Sequence, residues 1–330
     1  MSVGRVLVSC QLDFRGREPA REILEGADLE VVLRPGTRGS ADESTRERLE
    51  GMDAIIAGGE HLNADTVVEG SPLKIIARNG VGYDAVDVPF CTGRGIVLTT
   101  TPGTLQDAVA DHTMALLLAA VRHIAAGDRA VKAGEYDVPY GEDLGSMTLG
   151  LVGCGQIGSE VVRRALAFKM RVLVADPNLS ADRVAELGAV AVTLDELVAQ
   201  ADAVTLHLPL TEATANLVDA DLIGRMKAGS VLVNTARGGV VDEPALIEAL
   251  KSGHLAAAGL DVQANEPAQG VSLDLVRLEN VVAMPHCGSK TISARERMSI
   301  MAAESIVDLF QGRAPRGTIN TDVLEKLGLK

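Results

Sequence analysis

Short runs rich in β-branched residues alternate with polar segments of helical length over the first hundred residues of the chain. Short apolar runs bounded in this way are typical of buried parallel strands, and the segments between them are typical of crossover helices. The predicted strands are RVLVSC (5–10), EVVL (30–33), DAIIAG (53–58), LKIIAR (73–78) and GIVLTT (95–100). This part of the chain is therefore predicted to form a parallel α/β sheet.

A second alternating series begins at residue 148 and indicates a second lobe of the same class. Its predicted strands are TLGLVG (148–153), RVLVAD (171–176), AVTLHLP (203–209), SVLVNTA (230–236), LAAAGLDV (255–262) and NVVAMP (280–285). With 330 residues the chain exceeds the usual size of one hydrophobic core, which also favours two domains. The predicted fold class is α/β, with two Rossmann-like lobes built on parallel, doubly wound sheets.

Two helices and a tail complete the pattern. Residues 101–127 are bounded by proline and glycine and are nearly all apolar in the middle, which predicts a buried helix. Residues 291–312 are predicted to form a long amphipathic helix, ended by Gly312 and Pro315. The tail RGTINTDVL (316–324) is expected to add a strand or a sheet edge.

The overall charge of the chain disfavours two classes of partner. A formal net charge of −14 repels phosphate backbones and anionic lipid, so neither nucleic acid nor a membrane is an expected partner. No apolar run approaches about 18 residues and no signal peptide is recognised, which favours a cytoplasmic protein. The cysteines lie far apart without CxxC spacing, so neither a disulfide framework nor a metal site is predicted. They are Cys10, Cys91, Cys154 and Cys287.

A glycine-rich turn follows the strand TLGLVG and precedes a helix. Gly153, Gly155 and Gly158 form the pattern G-x-G-x-x-G. In this pattern the glycines serve a tight turn, close approach of a pyrophosphate, and close packing of helix on strand. The N–H groups of Gln156 and Ile157 would then point toward the phosphates. The context predicts a dinucleotide site, although a plain α/β turn with chance glycines would show the same spacing.

An acidic residue supports the dinucleotide interpretation. Asp176 ends the next predicted strand, 18 residues after Gly158. A carboxylate at that distance can accept hydrogen bonds from both hydroxyls of an adenosine ribose. Its neighbours Pro177, Asn178 and Leu179 supply no cation for a 2′-phosphate. The cofactor is therefore expected to be NAD(H) rather than NADP(H).

Three polar residues each follow a different strand of the second series. Arg237 lies between the strand 230–236 and two glycines, and Glu266 lies in the loop QANEP. His286 follows the strand 280–285. Ligands bind at the carboxyl ends of strands in open α/β sheets, so these side chains are expected at one ligand site. For Arg237 alone, a surface salt bridge is the alternative.

These three residue types suit hydride transfer to or from a C2 carbonyl. The carbonyl oxygen must gain or lose a proton as the hydride moves, and an imidazole such as His286 titrates in the right range. A carboxylate at Glu266 would orient the ring and favour the imidazolium. The planar guanidinium of Arg237 would bind a substrate carboxylate and polarise the carbonyl.

Nearly the whole chain resembles the D-isomer-specific 2-hydroxyacid dehydrogenases, especially the phosphoglycerate-dehydrogenase-like branch. The matching blocks are RNGVGYDAVD (78–87), TTPGTLQDAVADHT (100–113), LGLVGCGQIG (149–158), VNTARGGVVDE (233–243), GLDVQANEP (259–267) and MPHCGSKT (284–291). The resemblance implies that Arg237, Glu266 and His286 form a catalytic trio in the roles described above.

The same resemblance assigns further residues to ligands. The backbone amides of Val81 and Gly82 would hold the substrate carboxylate, and Arg78 is retained beside them. The family meets its cofactor at five further positions: Thr101, Thr235, Ala236, Asp261 and Gly288.

The resemblance also implies a domain arrangement. The cofactor domain, residues 101–288, would be inserted into a flavodoxin-like substrate domain formed by residues 1–100 and 289–330. Members of the family are typically dimers joined through the cofactor domains and a segment at about 103–145, so a homodimer is expected. His112 in that segment would then be an interface or core residue.

Several substrates and one different function stay open. The expected activity is reversible hydride transfer between NAD(H) and a small anionic 2-oxo or 2-hydroxy acid. Phosphoglycerate-using relatives tend to carry an arginine where this chain has Gly58, which weakens D-3-phosphoglycerate as the substrate, although His61 could substitute for that cation. Glyoxylate or hydroxypyruvate reduction is the other enzymatic alternative. A non-enzymatic, NAD-sensing, corepressor-like binding protein is the alternative of another class.

Overall fold

The computed structural model describes residues 3–12, 14–34 and 43–329, with the backbone alone for residues 43 and 44. The chain divides into two compact units. The first unit comprises residues 1–105 and 290–330, and the second unit comprises residues 106–289. Residues 101–105, expected in the cofactor domain, cluster with the first unit instead.

The first unit is built on a parallel sheet. Its strands are β1 (Gly4–Val8), β2 (Leu29–Leu33), β3 (Ala54–Ala57), β4 (Ile75–Arg78) and β5 (Val97–Thr99), in the order β2-β1-β3-β4-β5. Its first helices are α1 (Pro19–Glu25), α2 (Glu43–Leu49) and α3 (Val88–Arg94). This strand order is that of flavodoxin-like folds.

Alternate side chains along a strand of this sheet pack into two separate core layers, one on each face of the sheet. Val6 and Val8 of β1 belong to one layer, and Leu7 between them belongs to the other. Successive strand side chains point to opposite faces, so a sheet covered on both faces needs apolar residues at every position. That requirement explains why the strands appear in the sequence as short continuous apolar runs.

The second unit contains a larger parallel sheet. Its strands are β6 (Thr148–Val152), β7 (Arg171–Ala175), β8 (Val190–Ala191), β9 (Ala203–Leu206), β10 (Ser230–Asn234), β11 (Leu255–Leu260) and β12 (Val281–Ala283). Their order is β12-β11-β10-β9-β6-β7-β8. The strand order reverses between β6 and β9, where open α/β sheets bind their ligands.

Helices cover the second sheet. They are α4 (Gln106–Val121), α5 (Ile124–Ala133), α6 (Gln156–Ala167), α7 (Ala181–Glu186), α8 (Leu194–Gln200), α9 (Ala220–Arg225), α10 (Glu243–Ser252) and α11 (Val271–Val276). Helix α4 is the buried helix expected from the sequence, and it packs against α6, β10 and β11. Gly259 of β11 allows this approach, because a Cβ there would lie 3.1 Å from Cβ of Leu116.

Only one bent pair of the described helices has the length and composition that could span a membrane. Within the described ranges, no single helix is both long enough and apolar enough to cross a membrane. Only α4 and α5 counted together reach the required length and composition, and the chain bends by 58° between them.

The C-terminal segment returns to the first unit as helices α12 (Ile292–Phe310) and α13 (Thr321–Lys326). The expected strand or edge at 316–324 is reduced to one antiparallel bridge between Thr318 and Thr99. Asn320, a buried residue of this tail, contacts β5 and the residue before it through its side chain. Its Oδ1 accepts from Leu98 N–H at 2.9 Å, and its Nδ2 donates to the Ile96 carbonyl at 2.9 Å. The peptide groups of Gly317 and Ile319 also bond to Thr100 and Leu98, so the tail is joined to the region of β5 by main-chain bonds and by one side-chain amide.

We expect Asn320→Ala to destabilise the protein by about 2–3 kcal/mol, since it leaves a buried N–H and a buried carbonyl without partners. Denaturant unfolding measures the change. The matched control is Asp322→Ala, an exposed residue of α13, which should stay within about 0.5 kcal/mol of the parent. Equal stabilities of the two variants would contradict this role for Asn320.

Candidate active site

The glycine turn after β6 has the geometry that a dinucleotide requires. Gly153 adopts a left-handed φ of +86°, and a Cβ there would lie 2.6 Å from the carbonyl oxygen of His207. A Cβ on Gly158 would lie 2.7 Å from the carbonyl oxygen of Gly153. At Gly155, by contrast, no heavy atom of the described residues lies within 4 Å of the corresponding position. The first and third glycines therefore permit close packing, and the second leaves room for a phosphate.

Helix α6 directs its first turn at that space. It begins at Gln156, and the residue before it, Gly155, has no side chain with which to cap the first N–H groups. The N–H groups at a helix N-terminus attract anions through their partial positive charge. Gln156 and Ile157 lie in this first turn, and their contact with a pyrophosphate stays a prediction.

Asp176 follows β7 and binds the glycine turn itself. Its Oδ2 accepts from Cys154 N–H at 2.8 Å, and its Oδ1 accepts from Asn178 N–H at 2.8 Å. These bonds hold the carboxylate at the carboxyl end of the strand, where it retains acceptor capacity for ribose hydroxyls. Burial raises the pKa of the Cys154 thiol, consistent with a small filler residue.

His286 stands in an unusual backbone conformation after β12. Its φ is +51°, in the left-handed region that residues with a side chain rarely adopt. Its N–H donates to the carbonyl of Asp261 at 2.7 Å. Its ring nitrogen Nδ1 lies 2.8 Å from Glu266 Oε2 and 3.1 Å from Oε1. An ionised carboxylate only accepts hydrogen bonds, so Nδ1 carries the hydrogen and donates a hydrogen bond to Glu266.

Asp261 organises the turn that follows His286. Its Oδ1 accepts from Cys287 N–H at 2.8 Å and lies 3.1 Å from His112 Nε2, and its Oδ2 accepts from Gly288 N–H at 2.8 Å. Burial raises the pKa of Asp261, but these hydrogen bonds outweigh it, and the net pKa lies below the ordinary value. The carboxylate is therefore held in its charged form.

Among the described side chains, this cluster is the group whose composition and spacing most resemble a metal-binding site. Ligand atoms of His112, Asp261 and Cys287 lie within 4.8 Å of one another, and these ligand types suit zinc. The Asp261 carboxylate already accepts from two peptide N–H groups and contacts His112. The hydrogen bonds of the turn account for the cluster without an ion.

Arg237 extends from the end of β10, framed by the side chain of Asn234. Asn234 Oδ1 accepts from Ala236 N–H at 2.9 Å, and its Nδ2 donates to the Arg237 carbonyl at 2.9 Å. The next residue, Gly238, touches the loop after β11, because a Cβ there would lie only 2.0 Å from the carbonyl carbon of Gln263.

Contacts between the loops link Arg237, Glu266 and His286. Gln263 N–H faces Glu266 Oε1 at 3.3 Å, and its Nε2 donates to the Met284 carbonyl at 3.4 Å. The structure thus brings the loops after β10, β11 and β12 into contact, at the ends of three adjacent strands.

Sequence reasoning gave Thr113, His112 and His207 no part in the site. Thr113 of α4 shares a hydrogen bond of 2.9 Å between its Oγ1 and that of Thr235, a predicted cofactor residue. His112 contacts Asp261 within the second unit, which makes it part of this hydrogen-bonded cluster. Burial lowers the pKa of a third, His207, to about 3, so its imidazole is neutral and unsuited to acid catalysis. The only signal for these residues in the sequence is their position, either at the end of a strand or on the apolar helix.

The remaining predicted residues lie in the first unit. Arg78 Nε donates to the Gly82 carbonyl at 3.0 Å, and its NH1 donates to the Ala57 carbonyl at 3.0 Å. Within the described part of the chain, the N–H groups of Val81 and Gly82 donate no hydrogen bond. Thr101 is buried, and its N–H donates to the Gly80 carbonyl at 3.0 Å. The turn at 80–82 is therefore braced, with two peptide donors available to an anion.

A histidine paired with a carboxylate, at the same edge of the sheet as a dinucleotide turn, meets the needs of hydride exchange with an alcohol. Together with the Rossmann-type sheet, it defines an NAD-dependent oxidoreductase acting on CH–OH groups. Residues 114–288 match the family described as D-isomer specific 2-hydroxyacid dehydrogenase, NAD binding domain. The chain belongs to the D-isomer-specific 2-hydroxyacid dehydrogenases, whose substrates are small 2-oxo and 2-hydroxy acids.

Known relatives extend over nearly the whole chain. It is 41% identical over 328 residues to the glyoxylate reductase of Korarchaeum cryptofilum, which covers 97% of each protein. It is 41% identical over 255 residues to the hydroxypyruvate reductase of Thermotoga maritima, which covers 76% of this chain and 82% of that protein. The D-lactate dehydrogenase of Aquifex aeolicus, solved in complex with NAD and lactic acid, superposes with a TM-score of 0.82 at 28% identity, covering 98% of both chains.

We expect Asp176→Ala to shift the ratio of NADH to NADPH affinity toward NADPH by about 10-fold or more, because it removes a charged hydrogen-bond acceptor for the ribose. The variant also loses the hydrogen bonds to Cys154 and Asn178, which weakens the binding of both cofactors. The ratio of the two affinities is therefore the informative quantity. Fluorescence titration with each cofactor measures it. Asp182→Ala, on the exposed face of α7, is the control. An unchanged ratio in Asp176→Ala would count against the ribose contact.

Proposed function

We propose that this protein reduces glyoxylate or hydroxypyruvate with NADH, and that His286 is the proton donor. The observation that carries the proposal is the contact of 2.8 Å between His286 Nδ1 and Glu266 Oε2 at the carboxyl end of the second sheet. The names of the relatives from Korarchaeum cryptofilum and Thermotoga maritima support these two substrates.

The bound cofactor supplies the hydride, and residues of the chain manage the proton and the charge. Because Nδ1 of His286 donates to Glu266, the proton given to the substrate oxygen leaves from Nε2. The negative charge of Glu266 stabilises the imidazolium that exists before the transfer. Arg237, held at its backbone by Asn234, would neutralise the substrate carboxylate and polarise the carbonyl.

Oxidation of the hydroxy acid reverses these roles. His286 would then take the proton as a base, so the two directions require opposite protonation states of one group.

The surroundings of Gly58 support a substrate with a small group on its C2 carbonyl carbon over one that carries a phosphate. The Glu60 carboxylate is buried and lies 3.4 Å from the position that a Gly58 Cβ would occupy. Among the described residues, the cation that pairs with Glu60 is Arg48, whose NH1 lies 3.7 Å from Glu60 Oε1. A phosphate near Gly58 would therefore meet this negative charge as well as Arg78, whose NH1 donates to the carbonyl of the neighbouring Ala57. The Glu60 carboxylate, together with the lack of an arginine at Gly58, supports glyoxylate and hydroxypyruvate over 3-phosphohydroxypyruvate.

We expect His286→Ala to lower turnover of glyoxylate and hydroxypyruvate by about 10²-fold or more while leaving NADH binding intact, since it removes only the proton donor. NADH absorbance measures turnover, and fluorescence titration measures binding. His254→Ala is the control, because His254 precedes β11 and lies at the opposite end of that strand. Near-normal turnover in His286→Ala would contradict the assignment. Binding of NADH by the parent without turnover of any 2-oxo acid would favour the corepressor-like alternative.

We further propose that the protein is a homodimer, joined through residues 123–143. All residues of α5 are described, and none of them is buried. Ile124 and Val131 lie seven residues apart on one face of this helix, each 55% exposed, and Tyr136 beyond it is 85% exposed. Exposed apolar clusters of this kind are typical of protein interfaces. Within the expected segment at 103–145, α4 is occupied by packing in its own unit, so the proposed contact surface lies after it.

We expect Val131→Glu to convert the dimer to a monomer at micromolar concentration, because the substitution buries a charge at the interface. Analytical ultracentrifugation measures the mass. Val271→Glu is the matched control, since Val271 is 43% exposed on α11, outside the segment. A parent protein that sediments as a monomer would overturn the dimer, and an unchanged dimer in Val131→Glu would overturn this location for its interface.

A further inference from the structure

Glu243 is a buried carboxylate that the proposed reaction does not use. It is the first residue of α10 and is only 6% exposed. A buried charge is costly unless hydrogen bonds satisfy it. Its Oε1 accepts from Ala264 N–H at 2.8 Å, and its Oε2 accepts from the Ser272 hydroxyl at 2.6 Å. The first turn of a helix also favours negative charge.

Ser272 extends this contact to the next residue of the loop. It is fully buried at the start of α11, and its hydroxyl oxygen accepts from Asn265 N–H at 3.1 Å. Glu243 and Ser272 together therefore hold two consecutive peptide N–H groups, those of Ala264 and Asn265. The residue that follows is Glu266.

The loop is confined from its other side as well. Gly238 packs against the main chain of Gln263 so closely that a Cβ would lie 2.0 Å from the Gln263 carbonyl carbon. Gln263 N–H faces Glu266 Oε1 at 3.3 Å. Every residue from Gln263 to Asn265 thus has its peptide N–H occupied, which leaves the backbone before Glu266 little freedom.

We propose that Glu243, acting with Ser272, is a positioning residue that sets the Glu266 carboxylate against Nδ1 of His286. The inference rests on the proposed role of the His286–Glu266 pair. Glu243 touches neither residue, and it acts through the peptide groups of the loop. A displacement of about 1 Å in a catalytic geometry can cost about 10²-fold in rate. Loss of the Glu243 contacts therefore weakens the pairing of Glu266 with His286.

The consequence differs from that of a general loss of structure. When the carboxylate moves away from the ring, the imidazolium loses a hydrogen-bond acceptor and a neighbouring negative charge, so the protonated ring is less favoured. The rate of reduction, which requires the protonated ring, should then fall at lower pH than in the parent. Binding of NADH should be unaffected, because Glu243 contacts none of the residues assigned to the cofactor.

The test compares Glu243→Ala, Glu243→Gln and Ser272→Ala with the parent. We expect Glu243→Ala to lower turnover by about 10-fold or more and to move the pH midpoint of kcat/KM for reduction downward, with the NADH dissociation constant unchanged within about 2-fold. Glu243→Gln should lie between the parent and Glu243→Ala, since its amide oxygen can still accept from Ala264 N–H. Glu248→Ala is the matched control, an exposed glutamate of the same helix.

An NMR titration of the histidine ring protons reads the same effect without turnover. Assigned with His286→Ala, the His286 midpoint should fall in Glu266→Gln and fall in the same direction in Glu243→Gln and Ser272→Ala, which retain nearly the parent volume. An unchanged midpoint in Glu243→Gln and Ser272→Ala, when Glu266→Gln shifts it, would overturn the positioning role. An unchanged midpoint in Glu266→Gln would instead overturn the pairing on which the proposed function depends.

Discussion

The contacts of Asp261 hold His286, the proposed proton donor, in its backbone conformation. Its carbonyl accepts from His286 N–H at 2.7 Å, and its carboxylate accepts from the next two peptide N–H groups at 2.8 Å each. A side-chain-bearing residue in a left-handed conformation costs about 1–3 kcal/mol and persists only where its surroundings impose it. The end of β11 therefore determines the conformation of the residue that follows β12.

Neighbouring loops in this sheet are joined by main-chain contacts. Asn234 frames the turn before Arg237, Gly238 lies against Gln263, and Gln263 bonds to Met284. Because β10, β11 and β12 are adjacent and parallel, their carboxyl ends lie side by side, and each loop can bond to the next. The arginine, the glutamate and the histidine are thus carried on a connected backbone, which limits the freedom of each side chain.

Patterns local in sequence predicted most of the framework. The strands appear as apolar runs because both faces of each sheet are covered, and Gly153 and Gly158 stand where a Cβ would meet a carbonyl oxygen. Contacts between distant segments were not predictable in this way. The tail at 316–324 has β-branched residues suited to a strand, yet Asn320 makes part of the contacts with β5 and a helix follows. Likewise, the wide spacing of the cysteines gave no sign that the fold would place Cys287 beside His112 and Asp261.

The sequence by itself determined the two α/β lobes, the glycine turn with its acidic partner, and the position of Arg237, Glu266 and His286 after three strands of one sheet. Each of these depends on periodicity, or on the position of a residue relative to the end of its own strand, and both are local properties of the chain. Only the tertiary structure decided which nitrogen of His286 faces Glu266, how Asp261 holds the turn, and that Glu243 and Ser272 brace the loop. Apart from the bond between Ser272 and Asn265, which are seven positions apart, those contacts join residues 20 to 29 positions apart. They exist because strand order and close packing at glycine bring separate loops together, which no local pattern specifies.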